Sequence, residues 1–209
     1  MSNYVIGLTG GIACGKSNLS KALKEHGVPV VDADEISRAL TARGGAALPL
    51  IRERFGDRVF DGDELNRRAL SDIVFSDPAA RDALNAILHP MVLSEIRRQL
   101  DETHGPAVMD VPLLYEVGMD SWCQEIWCAY VPQKEQVRRV RKRGAITWKE
   151  ALRRIHSQMP VMEKRKRADH VIRTEGFKAE SAAIALGLWQ DVLDRLEANK
   201  ERVQSSEYR

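Results

Sequence analysis

Gly10-Gly11-Ile12-Ala13-Cys14-Gly15-Lys16-Ser17 satisfies the phosphate-loop pattern G-x-x-x-x-G-K-[ST] in full. Its glycines let the backbone curl until successive N–H groups and a helix N-terminus point at phosphate oxygens. Lys16 is placed to reach the β- and γ-phosphates, and the Ser17 hydroxyl to ligate Mg²⁺. The pattern also arises by chance as a Gly-rich turn, so its surroundings decide. Upstream, Tyr4-Val5-Ile6-Gly7-Leu8 is a short apolar run that reads as a buried strand, and downstream Leu19, Ala22 and Leu23 recur at helical spacing. Strand, Gly-rich turn and helix are the context the motif requires, and they assign ATP or GTP to this loop.

Gly27 stops that helix, and Val28-Pro29-Val30-Val31-Asp32 reads as a second buried strand with Pro29 at its start. Asp32-Ala33-Asp34 opens another helix, through about Leu40. Periodicity predicts helices over 48–55, 66–75 and 78–100, the last interrupted at Pro90, with Asp61-Gly62-Asp63 as a turn. Further strands are expected at 107–111, after the Gly105-Pro106 breaker, at 125–131 and, briefly, at Val171-Ile172. Helices at 133–143, 148–158 and 161–167 precede that last strand, and an amphipathic helix over 177–203 closes the chain before a frayed tail, 204–209. Strands alternating with helices predict an α/β fold, a P-loop-type doubly wound parallel sheet of about five strands with ligands at their carboxyl ends. The expected organisation is one kinase domain: a core of 1–33, 105–132 and 168–203, a helical acceptor lobe of 34–104 and a basic lid of 133–167.

At 209 residues the chain is long enough to bury about 70% of the surface its unfolded form exposes, which excludes disorder as the main state. No apolar run approaches the ~18 residues of a membrane span, and Met1-Ser2-Asn3-Tyr4-Val5-Ile6-Gly7 lacks a basic n-region, so a cytoplasmic protein without a membrane partner is expected. Cys14, Cys123 and Cys128 are too few and too irregularly spaced for a disulfide framework or a zinc site. The formal net charge of +2 conceals an asymmetry: residues 133–167 hold 13 Lys+Arg and 3 Asp+Glu, a local +10, against 19 and 27 elsewhere, −8. Such a block calls for an anionic partner, either nucleic acid or a phosphorylated small molecule. Only Trp148 interrupts its cations, so the stacking surface of a single-strand binder is missing and a small-molecule substrate is expected. Nothing in the sequence demands an oligomer.

Two acids spaced by one residue at a strand-to-helix turn can supply one carboxylate to an acceptor hydroxyl and another to Mg²⁺ or a helix cap. Asp34 is the expected proton acceptor, with Asp32 nearer the metal. Asp110 ends its strand where a Walker-B-like acid would stand, although a cap explains it equally. Cys14, near a helix N-terminus and beside Lys16, sits in positive potential that favours thiolate, yet a small filler residue of incidental reactivity is the plainer reading.

Thr9-Gly10-Gly11-Ile12, Val31-Asp32-Ala33-Asp34, Arg67-Arg68-Ala69-Leu70, Leu88-His89-Pro90, Asp110-Val111-Pro112-Leu113-Leu114-Tyr115-Glu116 and Ala168-Asp169-His170-Val171-Ile172 follow one another in this order. Together they resemble the dephospho-CoA kinase family, over nearly the whole chain up to Gly176. The resemblance implies an ATP-dependent phosphotransferase that carries the γ-phosphoryl of ATP to the 3′-hydroxyl of the dephospho-CoA ribose, the last step of coenzyme A biosynthesis, with Mg²⁺. It implies that Ala13, Cys14, Gly15, Lys16, Ser17 and Asn18 bind the ATP phosphates and that Asp34 is the base. It places Arg67, Arg68 and His89 toward the acceptor, Pro112, Leu113 and Glu116 beside the acceptor pocket, and Arg139 and Arg143 in a lid over ATP, where guanidinium groups neutralise the transferring phosphoryl.

Arg67 and Arg68 point about 100° apart on a helix, so one of them is expected to face the site. His89 serves equally as a structural residue beside Pro90. The chain departs from the family text where Ala13, Cys14 and Asn18 replace glycine, serine and threonine, where Thr174 replaces asparagine, and where Gly144 replaces aspartate. Ala13 is strained if its position takes a positive φ. The alternatives are another P-loop small-molecule kinase, such as a nucleoside monophosphate kinase, and a nucleotide-dependent RNA-binding protein.

Overall fold

The computed structural model describes residues 4–207. In chain order the elements are β1 (Val5–Gly10), α1 (Lys16–Glu25), β2 (Val30–Asp32), α2 (Ala33–Leu40), α3 (Leu48–Phe55), β3 (Phe60–Asp61), β4 (Glu64–Leu65), α4 (Arg67–Ser76), α5 (Pro78–Glu102), β5 (Ala107–Asp110), β6 (Glu125–Tyr130), α6 (Gln133–Gly144), α7 (Trp148–His156), α8 (Val161–Arg167), β7 (His170–Arg173) and α9 (Lys178–Glu207). Val31–Glu102 forms one compact unit and the rest of the described chain another.

Every residue of β1, β5 and β6 is buried, the signature of parallel strands covered on both faces. The five-stranded sheet has the order β2-β5-β1-β6-β7, and β1 pairs in parallel with both β5 (Ile6 opposite Val108) and β6 (Ile6 opposite Glu125). Leu19 and Leu23 of α1, Val161 of α8 and Ala185 and Val192 of α9 close a core over Ile6, Leu8, Trp127 and Ile172. Glu125 is buried at the start of β6 and accepts from Tyr4 Oη (3.1 Å), Trp127 Nε1 (2.7 Å) and Arg195 Nη2 (2.6 Å). Burial pushes its carboxyl up, but these donors prevail and hold it below the ordinary carboxylate range. The β2 strand is shorter than expected because Val28 N–H closes the end of α1 on the Leu23 carbonyl at 3.0 Å.

The Val31–Glu102 unit has its own core of Ala47, Ile51, Phe55, Val59, Leu70 and Ala80. Asn66 caps α4 by accepting from Ala69 N–H at 2.9 Å. The Asp61-Gly62-Asp63 turn forms as expected, on Gly62 at φ 62°, and the structure adds the two short strands it joins, β3 and β4, as an antiparallel hairpin. One sequence expectation is corrected within this unit. Pro90 does not interrupt its helix: α5 runs unbroken through it. Proline forfeits one backbone hydrogen bond and crowds the preceding turn at about 3 kcal/mol. Leu84, Ile87, Leu88 and Met91, packed on the unit's core around Pro90, offset that cost. At the other end α9 continues past 203 to Glu207, and Tyr208 and Arg209 of the expected tail lie outside the described residues, as do Met1, Ser2 and Asn3. Among the described residues no helix is long and apolar enough to cross a membrane.

Candidate active site

Between β1 and α1 the loop curls through two left-handed residues, Ala13 at φ 59° and Gly15 at φ 84°, with Cys14 N–H bonded to the Gly11 carbonyl at 3.0 Å. A Cβ on Gly11 would lie 2.5 Å from Gln136 Nε2 and 3.1 Å from the Val161 Cβ, so a side chain there would push the Gln136 amide off its bond to the Ile12 carbonyl (3.0 Å). Ala13 carries the strain that a positive φ imposes on a side chain, about 1 kcal/mol. Burial of its methyl beside Val137, Val140, Ala151 and Ile155 works against that cost.

Lys16, the first residue of α1, directs its ammonium at Asp110, whose side chain is only 1% exposed at the end of β5. The strand-end acid is therefore the resting partner of the loop lysine. The Ser17 hydroxyl has no partner among the described residues. In the other unit, Asp32 caps α2, its Oδ1 accepting from Asp34 N–H (2.9 Å) and Glu35 N–H (3.1 Å). Asp34, in the first turn of α2, is exposed, and its carboxylate has no partner among the described residues. Arg67 is engaged at the end of α2, donating through Nη2 to Thr41 Oγ1 (3.1 Å) and the Thr41 carbonyl (3.3 Å). Arg68 and His89 are exposed, and their side chains are without partners among the described residues. Of the two adjacent arginines, Arg67 is thus committed within this unit and Arg68 is not.

The segment after β5 is held by a lysine that the sequence reading passed over. Lys164 of α8, with no exposed side-chain surface, donates to the Pro112 carbonyl (2.6 Å) and to Glu116 (2.8 Å). Thr9 Oγ1 donates to the same Pro112 carbonyl at 3.1 Å, and Met159 N–H to Glu116 at 2.9 Å. Pro112 and Glu116 are accordingly framework positions in this state, while Leu113 is exposed. Lys164 was hidden among the 13 cations of its block; its place three residues after Val161, on the apolar side of a helix, was the available signal. Lys164→Met should lower the unfolding free energy by about 1–2 kcal/mol, since it strips a donor from the Pro112 carbonyl and from Glu116, which stays in contact with solvent and keeps the Met159 N–H. Urea unfolding measures this, and a loss under about 0.5 kcal/mol would contradict the framework role.

Arg139 of α6 donates to Glu135 Oε1 (2.6 Å), the Thr174 carbonyl (2.5 Å), Thr174 Oγ1 (3.3 Å) and the Ala13 carbonyl (3.4 Å). Arg138 and Arg139 together hold the Glu135 carboxyl down at about 2 against the opposing effect of burial. Arg143 is exposed, with its side chain unpartnered among the described residues.

Burial favours the filler reading of Cys14 over the thiolate one. Its side chain is buried, and burial raises the thiol pKa by more than Arg139 and Lys164 nearby lower it. Iodoacetamide at about pH 8 should therefore modify Cys14 more slowly than a free cysteine, whose pKa is near 8.5. Peptide mass spectrometry over a time course checks this, and a rate equal to that of free cysteine would refute the burial argument.

The family model described as dephospho-CoA kinase (CoaE) matches residues 4–180. This chain belongs to the dephospho-CoA kinase family. It is 42% identical to the dephospho-CoA kinase of Carboxydothermus hydrogenoformans over 177 residues, 82% of this chain and 86% of the relative. It is 39% identical to that of Staphylococcus aureus over 180 residues, 84% and 87% of the two chains. Among solved structures, TT1252 from Thermus thermophilus aligns over 94% of this chain and 99% of its own, with 35% identity and a TM-score of 0.77. A dephospho-CoA kinase from Campylobacter jejuni, at 21% identity and TM-score 0.67, covers 92% of this chain and 98% of its own, and extends the agreement in fold. As a member of the dephospho-CoA kinase family the chain is an ATP-dependent P-loop kinase, and the nucleoside monophosphate kinase reading gives way.

Proposed function

We propose that this protein transfers the γ-phosphoryl of ATP to the 3′-hydroxyl of the dephospho-CoA ribose. The observation that carries the reading is the match to the dephospho-CoA kinase family over residues 4–180, which includes the whole phosphate loop and both Asp32 and Asp34. The loop amides and Lys16 receive the ATP phosphates, and the Lys16 ammonium exchanges Asp110 for the β- and γ-oxygens. Arg139 and Arg143, in the basic helices proposed as a lid, add cations that a largely dissociative phosphoryl transfer requires. Asp34 accepts the proton of the attacking hydroxyl as the new O–P bond forms and ADP departs. Arg67 or Arg68, His89, Pro112, Leu113 and Glu116 line or frame the acceptor side.

Mg²⁺ fits the residues present, for the unpartnered Ser17 hydroxyl is a hard oxygen donor at the loop, whereas Asp32 has one carboxylate oxygen already committed to the α2 cap. Bound there with the nucleotide, the ion supplies neutralisation of phosphate charge. The reading has a small-molecule enzyme of the cytoplasm, without a nucleic-acid or membrane partner.

An acceptor panel tests it. With ADP release coupled to NADH oxidation, dephospho-CoA should stimulate turnover while adenosine, AMP and CMP leave it near the ATPase background. Preferential stimulation by AMP or CMP would return the protein to the nucleoside monophosphate kinases. Steeply salt-dependent RNA affinity without acceptor-stimulated turnover would move it out of the kinases altogether.

A further inference from the structure

We infer that Thr174 is a positioning residue of the phosphate loop, whose hydroxyl fixes the Cys14 carbonyl and thereby aims the Gly15 N–H at the nucleotide. The inference rests on ATP occupying this loop.

Thr174 immediately follows β7 and is buried. Its Oγ1 donates to the Cys14 carbonyl at 2.6 Å and accepts from Arg139 Nη1 at 3.3 Å. The same guanidinium reaches the Ala13 carbonyl at 3.4 Å and the Thr174 carbonyl at 2.5 Å. The carbonyls of Ala13 and Cys14, which bracket the tightest part of the curl, are thus both held from outside the loop.

In a planar trans peptide the C=O and the following N–H point in opposite directions. Anchoring the Cys14 carbonyl on Thr174 therefore turns the Gly15 N–H away from Thr174, and that N–H finds no acceptor among the described residues. It is a donor left for a ligand, next to Lys16. The contact has no slack: a Cβ on Gly15 would lie 3.0 Å from Thr174 Oγ1 and 3.1 Å from its Cβ. A second tie runs beside it, from Asn18 Nδ2 to the Lys178 carbonyl at 3.2 Å. Two positions at which the chain departs from its family's text, Cys14 and Thr174, are therefore in direct contact through this one bond.

Thr174→Val keeps the shape and deletes the hydroxyl, leaving the buried Cys14 carbonyl without this donor. Steady-state kinetics should show the KM for ATP raised about tenfold, equivalent to about 1.4 kcal/mol, with kcat and the KM for dephospho-CoA within about twofold of wild type. Thr174→Ser should restore the wild-type values, and Thr174→Ala should repeat the valine result if the valine variant does not fold. A general loss of packing would instead move kcat and both KM values and would not be rescued by serine.

A readout independent of any acceptor is the rate of Cys14 alkylation without nucleotide. It should rise severalfold in the valine or alanine variant and stay at the wild-type rate in the serine variant. An ATP KM within about twofold in Thr174→Val and Thr174→Ala, with an unchanged alkylation rate, overturns the inference. So does a serine variant as impaired as the valine one. If the wild-type protein phosphorylates none of the acceptors, the functional reading fails while the alkylation rates still decide the role of Thr174.

Discussion

Lys16→Met lowers kcat/KM for acceptor phosphorylation by at least about a thousandfold, the scale on which removal of a preorganised charge-stabilising donor acts in a water-excluded site. Methionine nearly matches the length of lysine and keeps its apolar stem, so the variant isolates the ammonium. That group has two duties. With nucleotide present it faces phosphate oxygens; without it, it is the partner of Asp110, a carboxylate with 1% of its side chain exposed. The variant therefore also loses stability, about 3 kcal/mol by the usual cost of removing one member of a buried charge pair. Lys16→Met/Asp110→Asn separates the two effects: it should regain most of the lost stability, because the buried negative charge is gone, and none of the lost turnover. Urea unfolding and the coupled assay read these independently. A single variant retaining turnover within about tenfold of wild type would remove Lys16 from the transition state.

Asp34→Asn is expected to lower kcat by about a hundred- to ten-thousandfold, the range attributable to a positioned general base, with the Kd for ATP changed by less than about twofold. The structure makes this a clean experiment. Asp34 is exposed and its carboxylate is unpartnered among the described residues, so the substitution should alter stability by no more than about 0.5 kcal/mol. The helix start is secured by Asp32, through its bonds to the N–H groups of Asp34 and Glu35. Asp32→Asn conserves that cap, since asparagine caps as well as aspartate. Its effect on turnover thus measures whatever else Asp32 does, including any hold on Mg²⁺. Near wild-type kcat in Asp34→Asn would exclude it as the base.

The sheet was legible because β1, β5 and β6 are continuous apolar runs bounded by breakers, and because one motif fixes a strand, a turn and a helix together. The α2 start was legible from a single aspartate at a strand end. What escaped had no local signal. Two-residue strands such as Phe60–Asp61 and Glu64–Leu65 are too short to show alternation, and only pairing defines them. Pro90 is a helix breaker by every local rule, and packing around it prevails.

The site was readable in its types and unreadable in its commitments. The sequence placed Cys14 beside Lys16 in positive potential, but burial, a tertiary property, decides its protonation. Arg67 and Arg68 are indistinguishable on paper until the end of α2 claims one of them. Lys164 was counted as one charge in a +10 block, though it is fully buried and bridges two peptide segments. Charge counts along a chain do not separate a solvated cation from a buried one.

The position of the transferred phosphoryl group tests the proposed reaction most directly. The purified protein, incubated with Mg-ATP and dephospho-CoA, should give a product heavier by one phosphoryl group, whose ³¹P spectrum shows one new monoester coupled to the ribose 3′ proton, with ADP formed in equal amount. ADP accompanied only by free phosphate, or a monoester at any other hydroxyl, would contradict it.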